Sequence, residues 1–222
     1  MTFVILIIGA YLVGSIPFGL LITKAHGKDL RSIGSGNIGA TNVARALGRK
    51  WAYLCFLLDM LKGALPMLIV GNYNLQFTNY QFLWLWLAVG CAAILGHIFP
   101  LYLKFRGGKG VTTSLGVALG LWPYYTICAL FTFAIWVAIV LKWRYISLAS
   151  IIASVIFPLV FIGTMAIIPN WHFIELWPLF IVAAVIPLMV IIRHRGNIKR
   201  LLAGTESKIF TTPTQTVESR KF

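Results

Sequence analysis

Long apolar runs separated by short polar clusters dominate this chain. Residues 2–23 carry no charge. Residues 51–71 follow, broken by Asp59 and Lys62, then 82–103, 111–141 and 145–192. An α-helix needs about 20 apolar residues to cross a bilayer, whereas a lipid-facing β-strand shows short alternating segments. The pattern therefore predicts an all-α, polytopic membrane protein.

The basic residues set the expected topology. They fall in five groups, Lys24 to Lys50, Lys104 to Lys109, Lys142 with Arg144, Arg193 to Lys208, and Arg220 with Lys221. Lys62 alone stands inside an apolar run. Basic residues collect in cytoplasmic loops. If all five groups are cytoplasmic, two crossings must join each neighbouring pair. The uncharged turns at 72–81 and at Ile168-Pro169-Asn170 are then external. The stretch 111–141 is short for two spans, yet both its flanks are basic, so a hairpin broken at Trp122-Pro123 is expected. With residues 2–23 as a retained first span, the count is seven, N-terminus external and C-terminus cytoplasmic. Residues 1–210 form one membrane-embedded domain on this reading, and the Thr-rich stretch 211–222 is a flexible polar tail.

Composition narrows the class further. Hydrophobic residues make up 59% of the 222 and charged residues 11%, and the mean hydropathy is +0.88. A soluble domain carries about 25% charged residues, so soluble, disordered and disulfide-scaffold classes are excluded. The net charge of +14 is explained by cytoplasmic loops meeting anionic headgroups, and implies no nucleic acid. Cys55, Cys91 and Cys128 lie inside apolar runs and read as buried free thiols.

Against so apolar a background, three polar clusters stand out, all on the expected cytoplasmic side. The first runs from Arg31 to Arg45. Gly34, Gly36 and Gly39 free the backbone to aim amides at one point, Ser35, Asn37, Thr41 and Asn42 add neutral donors, and Arg45 adds a guanidinium fork. A helix starting near Gly39 would add its dipole. The three glycines match a dinucleotide fingerprint in spacing, but no strand precedes them and Asp59 lies in an apolar run. The second cluster is His97-Ile98-Phe99-Pro100 followed by Lys104 to Thr113, where Gly107, Gly108 and Gly110 surround Lys109 and enter a helix. The third is Arg193 to Arg200 with Gly204, Glu206 and Lys208 behind, placing His194 and Asn197 on one helical face. Asp59 and Lys62 are i, i+3 and should pair, since intramembrane charges are costly. Ser147 follows the tight turn Lys142-Trp143-Arg144-Tyr145.

Two anion nests and a His/Asn group on one face favour handling of two phosphorylated groups. No Ser-His-Asp order, HxxxxD pair, Walker sequence or metal-ligand cluster occurs, and carboxylates are few. A small transporter of phosphate-type anions is the alternative, but it would carry polar residues through the bilayer midplane.

The clusters resemble the motifs of a known family. Gly34-Ser35-Gly36-Asn37-Ile38-Gly39-Ala40-Thr41-Asn42-Val43 with Arg45 is similar to the first motif of the bacterial acyl-phosphate:glycerol-3-phosphate acyltransferases (PlsY type). His97-Ile98-Phe99-Pro100 leading to Gly107-Gly108-Lys109-Gly110-Val111 resembles their second. His194, Asn197, Arg200, Leu201, Gly204, Glu206 and Lys208 resemble their third, and Asp59-x-x-Lys62-Gly63 also fits. The resemblance spans Gly14 to about Lys208; Ala44 departs from a more usual Leu, and the polar tail is extra.

The resemblance implies a seven-span inner-membrane enzyme with a cytoplasm-facing site. It would move a fatty acyl group from acyl phosphate to the 1-hydroxyl of glycerol 3-phosphate, giving lysophosphatidic acid and phosphate, the first step of phospholipid synthesis. No metal or other cofactor is implied, and a monomer among membrane lipids is expected. It assigns Ser35, Arg45, Lys109, Ser147, His194 and Asn197 to catalysis. Gly34, Gly36, Asn37, Gly39, Thr41, Asn42, Gly107, Gly108 and Gly110 would bind substrate phosphates. Asp59, Lys62, His97 and Glu206 would support the structure. Which loop holds which phosphate is open, with the Gly107–Gly110 loop favoured for glycerol 3-phosphate. Either His194 or a substrate phosphate could be the base; the substrate is favoured.

Overall fold

The computed structural model describes residues 2–72, 79–169 and 171–209, and every regular element among them is helical. In order these are α1 (Thr2–Gly14), α2 (Phe18–Ala25), α3 (Ala40–Leu47), α4 (Arg49–Gly71), α5 (Asn79–Ile98), a 3-10 turn at Leu101–Leu103, α6 (Val111–Gly120), α7 (Tyr124–Trp143), α8 (Ile146–Ile167), α9 (Phe173–Arg193) and α10 (Arg195–Leu202).

Six described segments are long and apolar enough to cross a membrane: Thr2–Ala25, Arg49–Gly71, Gln81–Leu103, Tyr124–Trp143, Ile146–Ile167 and Phe173–Arg193. The expected hairpin at 111–141 is present as α6 and α7, with the break around Pro123. The ten residues of α6 rise only about 15 Å, half of a ~30 Å hydrocarbon layer. The seven expected spans thus resolve into six full-length segments and one short helix. The first expected span is also not one continuous helix. Pro17 lacks an N–H, so α1 stops at Gly14 and α2 restarts at Phe18. The break frees the Ile16 carbonyl, which accepts a 2.9 Å bond from Lys62 Nζ. Of the expected turns, residues 73–78 and Asn170 lie outside the described residues, as does the tail at 211–222.

Glycines let the helices approach closely. A Cβ on Gly63 of α4 would strike the Thr113 carbonyl of α6, and one on Gly116 would strike the Met60 carbonyl. Gly14 and Gly96 do the same between α1 and α5. Such small-residue contacts are how helices associate where burial of apolar surface gives no net drive. One large apolar core forms from α1 and from α4 to α9, while Ile5, Phe131, Leu159 and Ile181 remain exposed, as a lipid-facing surface requires. Cys55 and Cys128 are buried and Cys91 is only half-buried; all three are free thiols.

Candidate active site

The loop before α3 is organised by one buried side chain. Asn42 donates from Nδ2 to the Leu30 and Ile33 carbonyls at 3.0 and 2.9 Å, and its Oδ1 accepts from the Ser35 amide at 3.1 Å. Gly34 and Gly36 take positive φ, 55° and 65°, and a Cβ on Gly34 would lie 2.6 Å from Asn42 Oδ1. Asn37 Oδ1 accepts from the Gly39 amide at 3.0 Å. The helix α3 then starts after Gly39, as expected, and no side chain caps it. Its first amides remain available to an anion. Thr41 and Arg45, one turn apart, line the same cavity. Asn42 was expected to bind phosphate, but both its amide protons are spent on the loop: it shapes the cradle.

The second loop folds back on the end of α5. The Gly107 and Gly108 amides donate to the Ile98 and His97 carbonyls at 3.1 and 3.0 Å. Arg193 clamps the other side, donating to the Gly107 and Gly108 carbonyls at 3.1–3.3 Å. A Cβ on Gly108 would overlap the His97 ring, so that position is restricted to glycine by packing. These two amides, expected to bind phosphate, are committed to the backbone. What the loop presents to the cavity is Lys109 and Gly110.

Lys109 leads into the third cluster. Its Nζ donates to Asn197 Oδ1 at 2.6 Å, and Asn197 Nδ2 donates to Glu206 Oε1 at 2.6 Å. Glu206 Oε1 also accepts from Ser147 Oγ at 2.7 Å, and its Oε2 from Arg200 Nε at 2.7 Å. Three chain segments are thereby joined through one carboxylate. Burial alone would raise the Glu206 carboxyl; bonds from Asn197, Ser147 and Arg200 outweigh it and hold it below its ordinary value. Burial lowers Lys109 to about 8, helped by the nearby Arg200, Arg45 and Arg193 charges and opposed by Glu206. Burial likewise lowers the Arg45 guanidinium, which stays cationic.

His194 sits at the junction of α9 and α10, buried, with Nδ1 2.8 Å from the Val190 carbonyl. A carbonyl only accepts, so Nδ1 carries the proton and Nε2 is left as an acceptor. Burial, and then the Lys109 charge, lower this imidazole to about 4.

Beneath these loops lies the intramembrane pair. Lys62 Nζ and Asp59 Oδ1 are 2.6 Å apart, with side chains 2% and 4% exposed. His97 Nδ1 lies 3.7 Å from the same oxygen, and Thr113 Oγ1 donates to the Asp59 carbonyl at 3.0 Å. The pair expected from spacing is present, and its residues tie the break between α1 and α2 to α4 and α6.

Side chains from all three clusters meet at one cavity of about 1270 Å³. Ser35, Thr41, Arg45, Lys109, Ser147, His194 and Asn197 line its polar end; side chains from α7, α8 and α9 line an apolar remainder. A hollow of about 260 Å³ adjoins it, lined by Arg31, Arg106 and Arg193 with Ser35 to Asn37. Those three arginines stand in the predicted clusters but were given no individual role, because each lies in a basic run that a cytoplasmic loop explains equally well. Among the described residues no group of His, Cys, Asp or Glu could hold a metal ion.

Residues 4–204 match the family described as glycerol-3-phosphate acyltransferase. The chain belongs to the glycerol-3-phosphate acyltransferase family. It is 45% identical to the glycerol-3-phosphate acyltransferase of Geotalea daltonii over 205 residues, covering 92% of this chain and 96% of that one. It is 44% identical to the enzyme of that name from Aquifex aeolicus, covering 91% and 97%. Its structure is similar to the crystal structure of PlsY (YgiH), an integral membrane glycerol 3-phosphate acyltransferase, in its glycerol 3-phosphate form. The TM-score is 0.80, with 42% identity over 94% of this chain and 96% of that one. The lysophosphatidic acid form of the same protein superposes with a TM-score of 0.78. Membership of this acyltransferase family accounts for a multi-span membrane fold with its polar groups gathered at one end.

Proposed function

We propose that this protein transfers a fatty acyl group from an acyl phosphate to the 1-hydroxyl of glycerol 3-phosphate, releasing lysophosphatidic acid and inorganic phosphate. The observation that carries this reading is the two-part cavity: anion-binding groups at one end, apolar walls at the other. A lipid phosphate has the same two parts. On this reading the polar end faces the cytoplasm from the bacterial inner membrane, with α6 as a short seventh span, the N-terminus external and the C-terminus cytoplasmic; the clustering of basic residues in the loops supports that orientation. A monomer is the expected catalyst, a reading supported by Ser35, Arg45, Lys109, His194 and Asn197 lining one cavity within a single chain.

The chemistry asks little of the protein, because the donor is already activated. The 1-hydroxyl oxygen attacks the acyl carbonyl carbon. A C–O ester bond forms, the C–O bond to phosphate breaks, and the phosphate departs with the hydroxyl proton. The open amides of α3, with Ser35, Thr41 and Arg45, hold one phosphate group; Lys109, oriented by Asn197, holds the second, that of glycerol 3-phosphate, by charge. Positioning and neutralisation supply the rate. The neutral His194 accepts a hydrogen bond from the attacking hydroxyl through Nε2. An imidazole lowered to about 4 is too weak a base to keep that proton at neutral pH. A phosphate with a pKa of about 6 takes it instead, while Ser147 and Glu206 hold Asn197 in place.

The test is phosphate release by purified protein in lipid, given palmitoyl phosphate and glycerol 3-phosphate. Release that requires both substrates, yields lysophosphatidic acid, and vanishes in Ser35→Ala and Arg45→Ala is expected. Release with water alone as acceptor would overturn the transferase reading.

A further inference from the structure

Below the polar end the cavity continues as an apolar shaft, lined by Ala129 and Phe133 of α7, Ala153 of α8, and Val182 and Ile186 of α9. It stops at a defined level. The helix α8 continues to Ile167 and α9 begins at Phe173, yet neither lends a lining residue beyond Phe157 or before Val182. The stop is aromatic. Tyr125 meets Phe157 edge to face, with centroids 5.2 Å apart, and meets Phe161 in the same way at 5.2 Å. Phe161 is fully buried behind them and packs on Phe180 at 4.9 Å. The Tyr125 hydroxyl donates to the Leu179 carbonyl of α9, which fixes the ring between two helices. The exposed lining residues lie at the other end: Tyr53, in the second turn of α4, is 64% exposed and Leu141, near the end of α7, is 72% exposed. The cavity thus opens sideways near its polar groups and is shut at its far end.

Resting on the acyl-phosphate reading above, we propose that Phe157 and Tyr125 form the floor against which the acyl chain ends, and so set the chain length this enzyme prefers. A chain lying instead through the opening beside Tyr53 and Leu141 would pass into lipid and meet no limit. Ten residues of α8 separate Ser147 from Phe157, a rise of about 15 Å, which accommodates roughly a dozen extended methylenes. A substituent one turn nearer the polar end, at Ala153, would shorten the shaft by about 5.4 Å.

The test gives the protein in lipid nanodiscs an equimolar mixture of acyl phosphates, from octanoyl to icosanoyl, with glycerol 3-phosphate. Mass spectrometry reads the lysophosphatidic acids formed. Ala153→Phe should shift the preferred chain shorter by about four carbons, and Phe157→Ala longer by about two, one turn being about 5.4 Å. The KM for glycerol 3-phosphate should stay within about twofold in both. Ala153→Phe fills open space and removes no packing, so it keeps the test standing if Phe157→Ala does not fold. An unchanged length profile in an active Ala153→Phe variant would overturn the proposal. Should the wild type turn over none of the acyl phosphates, the acyltransferase reading fails on its own. Native mass spectrometry of bound lysophosphatidic acids of graded length then decides the floor: a shift in Ala153→Phe sustains it, and identical length preferences overturn it.

Discussion

Two carboxylates organise this protein, and they do so in opposite ways. Asp59 sits in the middle of α4, buried, and is balanced by a cation 2.6 Å away on the same helix. Glu206 lies after α10 and gathers neutral and charged donors from two separate helices, α8 and α10. The Asp59 pair binds helices: Lys62 reaches the broken first span and Thr113 reaches the Asp59 backbone. The Glu206 network binds function: it holds Asn197, which holds Lys109. A buried charge with one strong partner is a strut, whereas a carboxylate shared among several donors aligns groups that must meet a substrate.

Substitutions sharpen the comparison. The largest effect should come from Asp59→Ala, which leaves Lys62 buried without its counter-charge. Breaking a buried pair from one side costs about 3–5 kcal/mol, so a large loss of thermal stability in detergent is expected. Adding Lys62→Met should recover much of it; equal instability of the single and double variants would show that the pair is not a strut. Glu206→Gln comes next. It keeps the shape and loses the charge, so turnover should fall about 10- to 100-fold, the value of one or two charged hydrogen bonds, while the melting temperature moves little. A variant that unfolds would put Glu206 in the same class as Asp59.

His194→Ala should lower turnover about tenfold, less than the 10²–10⁴ of a lost general base. With His194 at about 4, the imidazole is neutral across an assay from pH 5.5 to 7.5 at roughly all points. No limb near pH 6.5 should therefore disappear in the variant; its disappearance would make His194 the base. The smallest effect concerns Lys109, lowered to about 8. Below that pH the ammonium is mostly charged, and above it mostly neutral. The KM for glycerol 3-phosphate should therefore rise above pH 8 or so, and Lys109→Arg should flatten that rise because the guanidinium stays charged.

Much of this was legible in the sequence because a membrane leaves little freedom in where polar residues go. The three clusters could be read from their density alone, and the i, i+3 spacing of Asp59 and Lys62 gave the pair. Proline marked the break before α7. What escaped was backbone commitment. The amides of Gly107 and Gly108 and the side chain of Asn42 carry the right atoms for an anion, but tertiary hydrogen bonds had already claimed them. Sequence reports which donors exist, not which are spent. The break at Pro17 was missed for a related reason: residues 2–23 are uniformly apolar, and the freed Ile16 carbonyl finds its partner on a helix far along the chain. Arg193 was hidden by the positive-inside pattern, which makes every loop arginine look alike.

The order of the chain gives the Glu206 network one further meaning. Residues 31–45 are synthesised early, Lys109 and Ser147 in the middle, and Glu206 only after the last long helix is complete. Every segment able to enter the membrane is therefore made before the residue that aligns the site. The Glu206 network can therefore close on α8 and α10 only after every long helix among the described residues has been made.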